Sequence, residues 1–496
     1  MAPKEAYNEL LEISRKVTVF SSFGSLLGWD QRTYMPKKAA HYRALQYASL
    51  REYIYEILTS DRFGKLLEVA EKGEYDLRGK MNIYWWRRGY DRLTKIPKSL
   101  YVEEARVSSE SESAWVEAKK EGEFNLVKPY LERLINIKKE MAEHVGYEGE
   151  RYNALLDSYE PGLRAEYVGE VFANLKGETL RLLSVVLNSG KKPKGEILKG
   201  HFPKDKQREF CLFLLKNIGY DFDSGRLDEA VHPFATRITP NDVRITTKYE
   251  EDFISPAIFG TLHEMGHGLY DMGLPADIWG EPVGGAVSLG VHESQSRFWE
   301  NIIGRSEAFW KRFYKDLSDY FPKFKNITLE EFLFAINEIK PSTIRIEADE
   351  LTYNLHIILR FEIEREVIND KVSVNDLPDL WNEKFKSLFG FYPPNISEGV
   401  LQDVHWYGGS FGYFPTYTLG NIISAQIFAK MNGDLPVYEL VERGEFQPII
   451  NWLREKIHSK GSLYKPSELV KLATGEDINP RYLINYLEDK VKRFYG

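Results

Sequence analysis

Apolar side chains recur with a helical period over most of this chain. From Lys4 to about Gly219 they return every three or four positions within long mixed-charge stretches, which is the spacing of one helix face. The period resumes after Glu293 and lasts, with one interruption, to Gly496. The pattern therefore predicts a mainly α-helical protein, with helix–helix connections at Gly24-Ser25, Met35-Pro36 and Lys95-Ile96-Pro97.

A small β element is predicted between the two helical parts. The runs 234–238 and 243–247 are rich in β-branched and aromatic residues and flank the turn sequence Thr239-Pro240-Asn241-Asp242. They predict a short hairpin. An edge strand in this position would offer its backbone hydrogen bonds to an extended peptide.

The interruption of the second helical part runs from Gly399 to Gly420. Glycines alternate there with aromatic and polar residues, including Gln402, His405 and Trp406. This composition predicts an irregular loop that approaches a ligand closely. The alternative is a packed loop with ordinary turn glycines.

The segment after the hairpin carries the most specific chemistry. We expect a helix there, because Ser255 is a suitable cap, Pro256 suits the first helical position, and Gly273 is a suitable end. His263 and His267 lie four residues apart and so project from one face of that helix. Two imidazoles in this arrangement predict a zinc site.

The residue after the first histidine and a carboxylate further along complete the predicted site. Glu264 cannot bind the same ion, but it can take a proton from a water on that ion. Tyr270 and Gly273 stand where the metzincin pattern needs Gly and His, so that class is excluded. We therefore expect Glu293, on a second helix, to be the third ligand. His292 is a rival that would face away if Glu293 points inward.

Composition narrows the class of protein. The chain has 496 residues, 43% of them hydrophobic, and a formal net charge of −8, which argues against a nucleic-acid binder. Its one cysteine, Cys211, lies in an apolar run, and no apolar run reaches transmembrane length. We expect a soluble cytoplasmic protein with one catalytic domain over residues 1–496. At this length, either two helical lobes on either side of a groove or one elongated helical body is expected.

Several further motifs occur in a fixed order along the chain. They match those of the carboxypeptidase Taq family, which the chain resembles over nearly its full length. The motifs are Trp29-Asp30-Gln31, His232-Pro233-Phe234, Asp242-x-Arg244-x-Thr246, His263-Glu264-x-x-His267, His292-Glu293-Ser294-Gln295, Ile344-Arg345-x-x-Ala348-Asp349 and Gly399-x-x-Gln402-Asp403-x-His405-Trp406.

The resemblance implies a fold, an activity and an assembly. It implies an elongated, mainly α, zincin-like subunit with a deep substrate groove, forming a homodimer. The activity implied is the release of single residues from peptides with a free C-terminus, with broad preference, using Zn²⁺ or in its place Co²⁺. A more distant similarity to angiotensin-converting enzyme makes His405 and Tyr413 candidates to contact the reacting carbonyl.

Reading a free C-terminal carboxylate calls for a guanidinium. Arg345 and Arg244 are the two candidates, although Arg345 could instead pair with Asp349 along a helix and Arg244 could be a strand-surface charge. Two rival functions remain open at this point. One is a zinc oligoendopeptidase, and the other is a catalytically silent peptide-binding protein stabilised by its metal.

Overall fold

The computed structural model describes residues 1–496 and is mainly α-helical, as the apolar pattern predicts. The helices before the sheet are α1 (Pro3–Thr33), α2 (Ala40–Leu58), α3 (Asp61–Ala70), α4 (Leu77–Lys95), α5 (Lys98–Glu121), α6 (Lys128–Val145), α7 (Tyr152–Leu156), α8 (Ala165–Asn188) and α9 (Lys204–Ile218). The helices after it are α10 (Ser255–Gly273), α11 (Leu289–Arg297), α12 (Glu307–Tyr320), α13 (Leu329–Ile336), α14 (Tyr353–Ile368), α15 (Leu377–Phe389), α16 (Pro415–Asp434), α17 (Val437–Arg443), α18 (Gln447–Lys456), α19 (Pro466–Thr474) and α20 (Arg481–Tyr495).

Two of the predicted helix boundaries differ from the structure. The expected break at Gly24-Ser25 is wrong, because α1 continues through both residues to Thr33. The glycine-rich segment from Gly399 is irregular as predicted, but it ends at Phe414, so Gly420 lies inside α16. Single glycines weaken a helix by only about 1 kcal/mol, which surrounding packing readily offsets. None of the helices is both long and apolar enough to cross a lipid bilayer.

The predicted hairpin is present and belongs to a three-stranded sheet. The strands are β1 (Gly225–Glu229), β2 (Ala235–Thr239) and β3 (Asp242–Thr247), in the order β1-β3-β2. β2 and β3 pair antiparallel, and β2 forms one edge of the sheet. β1 pairs parallel to β3 and was not predicted, because its sequence Gly-Arg-Leu-Asp-Glu has no alternation of apolar and polar residues.

The helix that carries the two histidines follows the sheet directly. Pro256 lies in its first turn and Gly273 ends it, as expected. The expectation that Ser255 caps the helix is wrong, because Ser255 is the first helical residue and Ile254 precedes it. No side chain caps this end. Leu262, Met265 and Leu269 bury the other face of α10 in the main core.

The chain has one large apolar core and two small ones. The large core joins buried residues from Ala118 to Tyr495. Helices α1, α3 and α4 pack around a separate small core that includes Leu10, Phe63 and Trp86. Helix α2 buries none of its own residues. The site described below is built on helices of the large core, where side chains are held most rigidly.

Two glycines let α10, α11 and α16 approach closely. A β-carbon at Gly266 on α10 would lie 2.5 Å from the carbonyl oxygen of Gln295 and 2.6 Å from the Cα of Ser296, both on α11. A β-carbon at Gly420 on α16 would lie 2.5 Å from the Cγ of Glu293. Backbone atoms cannot move aside as a flexible side chain can, so a larger residue at position 266 must push the two helices apart.

This contact leads to a stability prediction with a matched control. We expect Gly266→Ala to lower the free energy of unfolding by about 1–3 kcal/mol, because overpacking strains a filled core. Gly177→Ala is the control, since Gly177 is an exposed residue of α8 with no neighbour within 4 Å of an added β-carbon. It should stabilise the protein by about 0.5–1 kcal/mol. Urea denaturation measures both, and equal effects from the two substitutions would contradict the close contact at Gly266.

Candidate metal centre

The three predicted ligand residues converge on one point. His263 and His267 project from α10, and Glu293 projects from α11 toward them. The Oε2 atom of Glu293 lies 3.7 Å from His263 Nε2 and 3.5 Å from His267 Nε2. One ligand atom from each residue lies within 4.8 Å of the others. Two imidazole nitrogens and one carboxylate oxygen around a common centre are a suitable ligand set for a divalent metal.

The ring of His263 is oriented by a partly buried carboxylate, that of Glu300. Its Nδ1 atom lies 2.8 Å from Glu300 Oε2. A hydrogen bond at Nδ1 fixes the proton on that nitrogen, so Nε2 is left as the lone-pair donor that faces Glu293. Glu300 belongs to a π-helical turn, Phe298–Ile303, that continues α11. Such turns are frequent at functional sites.

The ring of His267 is oriented by a second histidine. His267 Nδ1 lies 2.6 Å from His292 Nδ1, and His292 Nε2 lies 3.2 Å from Asp271 Oδ1. If Nε2 of His267 binds a cation, its Nδ1 carries the proton and donates it to His292. Nδ1 of His292 then accepts, and its Nε2–H donates to Asp271. The three residues form a hydrogen-bonded chain with one consistent set of protons.

The expectation that His292 faces away from the site is wrong. Neighbouring residues on a helix are only about 100° apart, and α11 lies so close to α10 that His292 and Glu293 both contact its ligand face. The role found for His292 is to orient His267. Asp271 was also missed, although its position four residues after His267 on the same helix face is a usable signal.

The electrostatics of the centre favour an added positive charge. Burial lowers the pKa of His263, but the carboxylates of Glu293 and Glu300 outweigh it and raise the pKa to about 9. A site that stabilises a proton on this ring also stabilises a cation placed between the three ligand atoms. The residues present therefore fit the metal that the motif predicts.

Glu264 lies beside the ligands and differs from them in its surroundings. Burial, together with the nearby charges of Glu293 and Glu300, raises its pKa to about 7. Its Oε2 atom is buried and has no hydrogen-bond partner in the protein. A carboxylate with one free oxygen and a pKa near neutrality is suited to accepting and returning a proton.

A second cluster of charges surrounds Asp403. Arg345 Nη2 lies 2.8 Å from Asp403 Oδ1, and the buried guanidinium of Arg360 bonds to the other oxygen. Arg345 Nη1 also donates to Tyr353 Oη at 3.0 Å. The possible pairing of Arg345 with Asp349 does not occur, because Asp349 accepts hydrogen bonds from Thr352 and from backbone N–H groups instead. Two guanidiniums around one carboxylate leave an excess positive charge at this place.

Aromatic side chains connect that cluster with the metal ligands. His405 Nε2 lies 3.3 Å from Tyr417 Oη, and the ring centroids of Tyr413 and Tyr417 are 5.3 Å apart. Burial raises the pKa of Tyr413, and the charge of Glu293 raises it further. The Arg345 guanidinium lies 5.2 Å from the Tyr417 ring centroid. Tyr413 thus lies near Glu293, and Tyr417 is the shared neighbour of Tyr413, His405 and Arg345.

Arg244 has different neighbours. On β3 it makes two hydrogen bonds to Asp242, at 2.7 and 2.8 Å, and its guanidinium stacks 4.3 Å from the ring centroid of Trp29. These contacts tie the sheet to α1. None of the metal ligands is among them.

A helical fold with an H-E-x-x-H helix and a glutamate from the next helix defines a class, the single-metal peptidases whose ligands are two histidines and one carboxylate. Comparison with known proteins identifies the family. Residues 9–491 match the family model of the carboxypeptidase Taq (M32) metallopeptidases. The chain belongs to this family, which confirms the expected metallocarboxypeptidase class and its mainly α fold.

Individual relatives cover the chain from end to end. It is 46% identical to thermostable carboxypeptidase 1 of Thermus thermophilus, over 100% of both chains. It is 45% identical to carboxypeptidase 1 of Bacillus subtilis, over 98% of both. Among solved structures, an M32 carboxypeptidase from Deinococcus radiodurans is 37% identical with a TM-score of 0.96, covering 99% of this chain and all of the other.

Proposed function

We propose that this protein is a zinc-dependent metallocarboxypeptidase that releases single C-terminal amino acids from peptides with broad preference. The observation that carries the proposal is the convergence of His263 Nε2, His267 Nε2 and Glu293 Oε2 beside a buried Glu264. Two nitrogens and one oxygen suit Zn²⁺, and Co²⁺ accepts the same ligands. A bound zinc ion would supply a Lewis acid and a water of lowered pKa.

Glu264 is proposed as the group that moves the proton. Its free Oε2 accepts a proton from the water that attacks the last peptide carbonyl, and it then returns that proton to the leaving amine. The raised pKa supports both halves of this role, since a group that titrates near neutrality accepts and donates with little cost.

Tyr413 and His405 are proposed to donate hydrogen bonds to the carbonyl oxygen as negative charge develops on it. Their support is position. Tyr413 is close enough to Glu293 for that charge to raise its pKa, and the ring centroid of His405 lies 5.6 Å from that of Tyr413. Burial lowers the pKa of His405 to about 4, so its ring is neutral at pH 7 and carries one N–H.

The function is tested by mass spectrometry of an N-terminally blocked peptide incubated with the zinc-loaded protein. We expect a ladder that loses one residue at a time from the free C-terminus. Chelation and C-terminal amidation should each abolish it. Internal cuts in both peptides would indicate an oligoendopeptidase instead, and no metal-dependent cleavage of several peptides would indicate a binding protein.

The Glu264→Gln variant separates proton transfer from metal binding in the same assay. We expect turnover to fall by at least 10²-fold, the lower end for a general acid–base group, while zinc content stays close to one ion per chain. Near-normal activity in this variant would contradict the role given to Glu264.

For the terminal carboxylate, Arg345 is the better supported of the two candidates. Both arginines are paired with an aspartate, but Arg345 shares Asp403 with Arg360, which leaves excess positive charge, whereas Asp242 balances the charge of Arg244. We expect Arg345→Gln to raise KM for free-acid peptides about 10-fold or more, as for loss of a charge-assisted bond, with a smaller change in kcat. Arg244→Gln is the matched comparison. Binding of a dipeptide amide should be unaffected, and equal losses for acid and amide would remove Arg345 from this role.

We also infer a cytoplasmic homodimer. The single cysteine, Cys211, is buried and unpaired, which is consistent with a reducing compartment. Val19, Phe23 and Leu26 follow one face of α1 and are each about two-fifths to one-half exposed. A second copy of the chain would cover such an apolar stripe.

Sedimentation equilibrium tests the dimer. The expected mass is about twice the 57.6 kDa of one chain, and Phe23→Asp with Leu26→Asp should shift it toward the monomer. Val102→Asp with Val116→Asp is the control, because these residues of α5 are equally apolar and also exposed. A monomer from the unmodified chain would contradict the inference.

A further inference from the structure

The guanidinium of Arg297 bonds to two carboxylates. One belongs to the predicted ligand Glu293, and the other belongs to Glu300, which orients His263. Arg297 Nε lies 2.6 Å from Glu293 Oε1, and Arg297 Nη1 lies 3.1 Å from Glu300 Oε2. The side chain of Arg297 is 16% exposed and lies 4.8 Å from the ring centroid of Tyr353. No motif of the sequence drew attention to this residue.

We propose that Arg297 is a positioning residue that makes Glu293 a ligand through one oxygen only and so keeps a coordination position open for substrate. The inference rests on the proposed function, since it assumes that the three residues bind a metal. Arg297 would act on how the protein holds Glu293 and His263, through its contacts with Glu293 and Glu300.

The two oxygens of Glu293 have different surroundings. Oε1 is occupied by Arg297 Nε, and Oε2 faces His263 and His267. The hydroxyl of Ser296 lies 3.1 Å from Oε2 but has a nearer acceptor, the Glu293 carbonyl oxygen at 2.7 Å. A free carboxylate can bind a cation through both oxygens. An oxygen that already accepts a charge-assisted bond from a guanidinium is the weaker ligand for a second cation, which favours binding through the other oxygen. An extra oxygen ligand would fill the position that a catalytic site must keep open.

Through its Nη1 atom, Arg297 also positions the ring of His263. Glu300 Oε2 contacts both Arg297 Nη1 and His263 Nδ1, so the guanidinium holds the carboxylate that holds the ring. Arg305 is the other cation near Glu300, at 3.8 Å from Oε1. A lysine at position 297 would keep the charge but has a single ammonium, which cannot reproduce the planar fork that spans two carboxylates.

The test measures metal binding directly, by Co²⁺ and Zn²⁺ titration of the full chain. Loss of a residue that supports a metal ligand typically weakens binding 10–100-fold. We expect Arg297→Met to raise the dissociation constant by about that factor and to weaken the visible absorption per bound Co²⁺. Co²⁺ of higher coordination number absorbs visible light more weakly, so this band reports a second oxygen from Glu293.

Arg297→Lys separates charge from geometry. We expect an intermediate affinity with the weakened absorption band, because the charge returns without the fork. The control is Arg312→Met on α12, where the arginine forms an ion pair with Asp316 at 3.4 Å, and binding and spectrum should match the unmodified chain. Circular dichroism verifies folding, and if the methionine variant is unfolded the lysine variant decides.

Failure of this inference is distinguishable from failure of the proposed function. If the unmodified chain binds neither metal, the proposed function is wrong. If it binds them and both Arg297 variants match it in affinity and absorption, the role of Arg297 is overturned. Full recovery of affinity and absorption in Arg297→Lys alone would also overturn it, because charge without the fork would then suffice.

Discussion

The site depends on the close contact between α10 and α11. Helices usually pack with axes 8–10 Å apart, and side chains then fill the space between them. At Gly266 the backbone of α11 occupies that space, next to Gln295 and Ser296. Only because of this approach can two consecutive side chains of α11, His292 and Glu293, both contact the ligand face of α10. Gly266 therefore lets Glu293 act as the third ligand. It also lets His292 be the hydrogen-bond partner of the second ligand, His267.

The cost of burying so many charges is met within a short stretch of chain. Glu264 and Glu293 are buried and Glu300 is partly buried at the same centre, and an isolated buried carboxylate is strongly unfavourable. Arg297 bonds to Glu293 and Glu300, and its charge together with the ligand histidines lowers the pKa of both carboxylates. A divalent cation beside them would stabilise the carboxylates further, which is a physical basis for metal retention.

Sequence reasoning found the parts of the site that are local in the chain. The helical period located the helix, and spacing along it placed His263 and His267 together. The approach of Glu293 from a second helix was also predicted, from the ligand count that the site needs. Other features that depend on contacts between separate segments were missed or wrong. The alternative considered for Arg345, a pairing with Asp349 along a helix, is wrong, because Arg345 bonds to Asp403, 58 residues away. The orientation of His292 likewise depends on the distance between two helices, which periodicity does not contain.

The cluster of charges around Asp403 and the candidate metal centre are not independent parts. Tyr353 lies between them, with its ring 4.8 Å from the Arg297 guanidinium and 5.9 Å from that of Arg345, and its hydroxyl accepts from Arg345. Both guanidiniums lie within 6 Å of the centroid of this one ring, whose negative face attracts cations. A ligand that drew Arg345 toward itself would weaken the Arg345–Tyr353 hydrogen bond and change the environment of Arg297, which holds Glu293. Through this one ring, the site proposed for the terminal carboxylate and the proposed metal ligand Glu293 share a common support.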